Sequence, residues 1–122
     1  MGGIELIAAE RRRQIEEEGW MPGHDDEHTD GEMAQAAVCY AAPELVYVQR
    51  ASANQVRFVD PWPWWPKWDK RPRNGNVVLA NNPENVSPDE RIRQLVMSGA
   101  LIAAEIDRLQ RAKAKVASEQ VG

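Results

Sequence analysis

The sequence predicts a mainly α protein: one compact helical domain of three main helices, with an ordered Trp- and Pro-rich loop and a small β-hairpin. Three observations predict it. Apolar residues recur at three- and four-residue spacing near both ends of the 122-residue chain. Two capping-box signatures, Thr29-Asp30-Gly31-Glu32 and Ser87-Pro88-Asp89-Glu90, mark helix starts. Between the helices, closely spaced prolines deny helix to the tryptophan segment. The length suits one domain with a modest core. Residues 1–116 are read as that domain and 117–122 as a disordered tail.

The first helix is expected from Ile4 to about Glu18. Ile4, Ile7, Arg11 and Ile15 share one face, and Gly19 suits the C-terminal cap. Trp20 to Thr29 contains Pro22 and Gly23 and reads as a loop. Thr29 then caps a second helix through Met33, Ala36, Ala37 and Tyr40, stopped by Pro43. Its alanines favour close helix approach. Leu45–Val48 and Val56–Val59 are β-prone runs, with Ala51–Asn54 as the turn of a hairpin. Asp60 to Asn85 reads as an extended, structured loop with a tight turn at Asn74-Gly75. Ser87 caps the last helix, with Pro88 in its first position. Ile92, Leu95, Val96, Gly99, Ile102, Ala103, Ile106 and Leu109 form its apolar stripe, and fraying is expected near Lys115.

Composition excludes several function classes. The net charge of -4 and pI near 5.2 do not suit a duplex-nucleic-acid binder, which needs a basic face. One cysteine, Cys39, allows no internal disulfide, so the cytosol is the expected compartment. Cys39 is read as buried and inert. No signal-peptide pattern opens the chain, and no apolar run is long enough to span a membrane.

Three constellations could carry chemistry. His24, Asp25, Asp26 and His28, with Glu32 close behind, are residue types that ligate divalent metals or bond a polar ligand. The plainer reading is a polar loop that caps its own backbone, and the spacing matches no strict metal motif. Trp62, Trp64 and Trp65, with Trp68 nearby and Trp20 elsewhere, could stack on a nucleobase or pack as a lid on the alanine-rich helices. Lys67 would suit a phosphate, as would Arg91 and Arg93 at a helix N-terminus, or the arginines could pair with Asp25 or Asp26.

Taken together, Glu10-Arg11-x-Arg13-Gln14, Glu18-Gly19-Trp20, His24-Asp25-Asp26-x-His28, Gly31-Glu32-Met33-Ala34, Cys39-Tyr40, Trp62-Pro63-Trp64 and Arg91-x-Arg93-x-Leu95-Val96 resemble a family of small bacteriophage- and prophage-encoded proteins. Gly99-Ala100-Leu101-Ile102 and Ala104-Glu105-Ile106-x-Arg108-Leu109 extend the match. The resemblance implies a setting in the host bacterial cytoplasm and no particular activity. Lys70 to Val86 is longer than the family's usual connection. A shorter stretch, Gly19-Trp20-x-x-Gly23-x-Asp25-Asp26 with His28, is similar to the ryanodine-receptor repeat domain, which implies nucleotide-like ligands. The all-α nucleotide pyrophosphohydrolases resemble the chain in size and helicity. Glu16-Glu17-Glu18 and Glu105-Ile106-Asp107 do not fit their metal-binding signature.

The resulting expectation is a phage accessory protein that binds a small nucleotide-type ligand, for example by sequestering a host immune signalling nucleotide. Trp20, His24, Asp25, Asp26, His28, Trp62, Trp64, Trp65, Lys67, Arg91 and Arg93 would form the site. No catalytic residue is assigned, and binding is favoured over catalysis. If a divalent metal takes part, His24, Asp25, Asp26, His28 and Glu32 would hold it. Two other readings stay open: a metal-dependent nucleoside triphosphate pyrophosphohydrolase, and a protein-binding inhibitor of a host factor. The stripe on the last helix, with Gly99 allowing close approach, suggests a homodimer.

Overall fold

The computed structural model describes residues 1–121. Four helices run α1 (Gly3–Glu16), α2 (Pro22–Asp25), α3 (Glu32–Ala41) and α4 (Pro88–Val121). A hairpin, β1 (Val48–Ser52) with β2 (Gln55–Val59), follows α3, and a second, minimal one pairs β3 (Arg73–Asn74) with β4 (Val77–Val78). The mainly α class with a small β component is as predicted.

α3 and α4 form the centre. Ala36 and Ala37 of α3 meet Leu101 and Ala104 of α4, with Met33 and Tyr40 completing the buried cluster. Small side chains let the axes approach closely enough for the Ser98 hydroxyl to donate to the Ala37 carbonyl at 2.8 Å. α1 lies across the other side of α4, where Gly99 makes room for it. A Cβ on Gly99 would sit 2.5 Å from Ile7 Cδ1. The close approach at Gly99 is therefore made within the chain.

Helix ends are closed by specific partners. At α4 the predicted capping box is present: Glu90 N–H donates to Ser87 Oγ at 3.2 Å and Ser87 N–H to Glu90 Oε1 at 3.1 Å. At α3 the predicted box is absent. Gly31 is the N-cap residue, with φ +80°, and Thr29 takes no part. Glu32 instead accepts from the Asp30 N–H and approaches His28 Nδ1 at 3.2 Å. The C-terminal carbonyls of α3 are met from far along the chain. Asn81 donates to Cys39 O and Ala42 O, both at 2.9 Å, and Arg91 donates to Tyr40 O and Ala41 O.

Three further departures from expectation are local. Residues Pro22–Asp25 form a helical turn where a loop is predicted, because Pro22 occupies the first helical position, where its missing N–H costs nothing. The β1–β2 hairpin is set later than expected, with Ala53-Asn54 at the turn. α4 continues to Val121 instead of fraying near Lys115, in keeping with the helix-forming Ala, Lys, Glu and Gln of that stretch. Of the predicted tail, Gly122 lies outside the described residues.

Candidate functional site

A cavity of about 950 Å³ lies among α1, α2, the α3–α4 pair and the tryptophan loop. Its walls come from distant parts of the chain: Trp20 follows α1, His24 belongs to α2, His28 precedes α3, and Trp62, Trp64 and Trp65 belong to the loop. The helical turn at α2 decides the histidine geometry. Beyond its end the chain keeps turning through bonds from Glu27 N–H to His24 O and from His28 N–H to Asp25 O, and the His24 and His28 rings meet edge-on with centroids 5.1 Å apart.

That contact is one link in a continuous series of rings. Trp20 stacks on His24 at 5.5 Å with an interplanar angle of 15°. His28 tilts against Trp64 at 5.3 Å, Trp64 meets Trp62 edge-on at 5.6 Å, and Trp62 meets Tyr40 at 5.5 Å. Trp20, Trp62 and Trp64 are partly buried against the core, so they pack and line the cavity at once. The core-lid and ligand-lining alternatives of the sequence reading therefore both describe these three residues. Trp65 reaches the cavity rim but is 73% exposed.

Polar groups punctuate this apolar wall. Asp25 is 1% exposed, yet its carboxylate has only long contacts, 3.5 Å to Arg11 Nη2 and 3.4 Å to His24 Nδ1. A buried carboxylate ordinarily collects several shorter hydrogen bonds. The buried Trp64 indole N–H has no acceptor among the described residues. Glu10 is the opposite case. It accepts from Arg13 through two nitrogens at 2.8 Å and from Arg93 at 2.8 Å. Burial acts to raise its pKa, but the bonds and charge of Arg13 and Arg93 prevail and hold it at about 2. Arg13 also pairs with Glu18 at 2.7 Å, and Lys70 adds a cation at the wall.

The outer wall has little regular structure, one 3₁₀ turn at Pro66–Trp68, and is braced by charge. Asp69 and Arg71 are both buried, and the Arg71 guanidinium bonds Asp69 at 2.7 Å and Asp60 at 2.9 Å. It lies 5.8 Å from the Trp62 ring centroid, within cation–π range. Tyr40 Oη accepts from the Lys70 N–H at 3.0 Å, tying the loop to α3. Burial pushes the Tyr40 phenol up to about 12 and the Cys39 thiol up to about 11. Cys39 is buried, as its place on an alanine-rich helix suggested.

Of the residues singled out from sequence, Trp20, His24, Asp25, His28, Trp62, Trp64, Trp65 and Arg93 line this cavity. Asp26, Lys67 and Arg91 do not. Asp26 turns outward to Arg111 at 2.7 Å, Lys67 lies over Trp68, and Arg91 is occupied by the end of α3. Arg93 pairs with Glu10, and neither Arg91 nor Arg93 pairs with Asp25 or Asp26. The residues proposed for a metal diverge for the same reason: Glu32 joins His28 while Asp26 joins Arg111. Among the described residues, no three His, Cys, Asp or Glu side chains form a metal-holding group. Sequence reasoning missed Glu10, Arg13 and Gln14 as lining residues. They share the inner face of α1, and their i, i+3 and i, i+4 spacing was the available signal. No helix is long and apolar enough to cross a membrane. Comparison with protein-family models, curated proteins and solved structures returned no match.

Proposed function

We propose that the protein binds a small nucleotide-type ligand in this cavity. The single observation that carries the reading is the pairing of ring faces with an unpartnered indole N–H and a carboxylate held only by long bonds in one concavity. Trp20, His24, His28 and Trp64 offer flat apolar surface on which a base can stack. The Trp64 N–H awaits an acceptor and Asp25, with only long bonds to Arg11 and His24, can take a closer donor; a nucleobase edge supplies both. Lys70 and Arg93 would face the phosphates. The volume lies within the range of small-molecule sites. The phage resemblance of the sequence gives the reading a biological form, the sequestration of a host immune signalling nucleotide.

Isothermal titration against cyclic and linear nucleotides tests it, with tryptophan fluorescence recorded in parallel. At least one nucleotide should bind saturably and quench the tryptophan emission. Trp64→Phe keeps a ring and removes the N–H, and should weaken that binding by up to about tenfold, the usual worth of a hydrogen bond. Absence of heat and quenching across the panel would sink the proposal. The exposed Trp65 and Trp68 favour a second reading, a protein-binding inhibitor of a host factor. Trp65→Ala with Trp68→Ala should then abolish capture of that factor from host lysate.

A further inference from the structure

α4 has two apolar faces. One meets the core through Val96, Ala100, Leu101 and Ala104, all buried. The other turns away from it: Ile92, Leu95, Ile102, Ile106, Leu109 and Val116 are each between 45% and 53% exposed. The sequence stripe is thus split, with Val96 going inward and most of its aliphatic residues going outward. With Gly99 and Lys113, the outward positions alternate in steps of three and four from Ile92 to Val116. That is a heptad seam, the pattern by which one helix packs along another. An outer helix face that meets only water is ordinarily polar. At Gly99 the gap in the seam is filled by Ile7 of α1.

We infer that this seam is an interface with a second copy of the chain, α4 packing against α4. Length supports it. The 34 residues of α4 extend about 51 Å at the helical rise, against about 21 Å for the 14 of α1. From Ala112 to Gln120 every residue is exposed, so the last turns of α4 are left free to meet a second helix. Area supports it as well. Six half-exposed aliphatic side chains offer on the order of 300 Å² of apolar surface per protomer. At the usual apolar share, the pair would bury about 1,000 Å² in total, the low end for a specific interface. The pairing does not depend on what fills the cavity.

Sedimentation equilibrium of the full chain across the micromolar range provides the test. The mass should rise from 13.8 kDa towards twice that value. Ile102→Glu with Ile106→Glu should stay monomeric throughout with an unchanged helical circular dichroism signal, since both side chains already face solvent. A wild-type chain that remains monomeric would overturn the inference, as would a double variant that dimerises like wild type.

Discussion

Replacing Glu10 by Gln removes a single charge from the point where α1 and α4 are joined beside the cavity. The carboxylate is almost wholly buried and accepts from Arg13, Arg93 and Gln14, the last at 3.4 Å. A glutamine amide keeps the shape but turns an N–H₂ towards two guanidinium groups. The carboxyl sits at about 2 against an ordinary 4.5, and about 1.4 kcal/mol per unit sets a ceiling of roughly 3 kcal/mol. Arg93 is about half exposed and Arg13 a third, so screening by water reduces this to on the order of 2 kcal/mol. Because the folded-state value is depressed, the stabilisation is fully present above pH 4.5 and is lost as the pH falls through about 2. Urea unfolding reads both aspects. Near neutral pH the midpoint of Glu10→Gln should lie about 1 M below wild type. Towards pH 2 the two midpoints should converge. A gap that stays constant as the pH falls would refute the assignment of this stabilisation to the ionised carboxylate.

Two further substitutions probe the supports of the site. Asn81→Asp replaces an amide that donates to Cys39 O and Ala42 O with an anion facing the same carbonyls. It should cost about 3 kcal/mol in thermal unfolding, more than Asn81→Ala at about 2, and the reverse order would show that the donor role is wrongly assigned. Arg71→Lys keeps the charge but loses the fork that spans Asp60 and Asp69. A loss of about 2 kcal/mol and a changed tryptophan emission are expected, because the guanidinium lies against Trp62; an unaltered spectrum would mean that the clamp does not set the ring's position.

Local chemistry made some of this legible and tertiary contacts hid the rest. Ser87 and Glu90 sit three residues apart and need no other part of the chain, so that helix start was readable. Thr29 and Glu32 have the same spacing, but His28 and the Asp30 N–H take the Glu32 carboxylate, and the box does not form. The clustering of His24, His28 and the indoles was readable as composition, and their meeting in one cavity was a matter of packing. Asp25 and Asp26 are adjacent in sequence and alike in chemistry, yet one is buried at the cavity and the other is paired on the surface with Arg111. Nothing in their immediate neighbours distinguishes them. The α4 stripe shows a different limit. Periodicity identifies an apolar face but not what it meets, and the buried side of α4 includes Gln94, Ser98, Glu105 and Arg108, which hydropathy alone would place outside.

The way the loop is held bears on how the cavity would work. A wall with only one 3₁₀ turn, at Pro66–Trp68, has little backbone ladder to fix it, so side chains and prolines must do so. Pro61, Pro63 and Pro66 restrict φ at three of six consecutive positions. Asp60 accepts from the Trp62 N–H at 2.9 Å, and the Trp62 indole donates to the Trp65 carbonyl at 3.1 Å. Tyr40 and Arg71 then pin the loop's far end. Trp62 and Trp64 are consequently held before anything enters, and little rotamer freedom remains to be lost on binding. The indole N–H groups divide accordingly. That of Trp62 is spent inside the loop, whereas that of Trp64, on a ring equally well anchored, is left without an acceptor. A ring fixed purely for packing has no need to bury an unpaired donor, which costs about 1–3 kcal/mol. An acceptor brought by a ligand removes that cost, so binding and the stability of the wall are linked through the same atom.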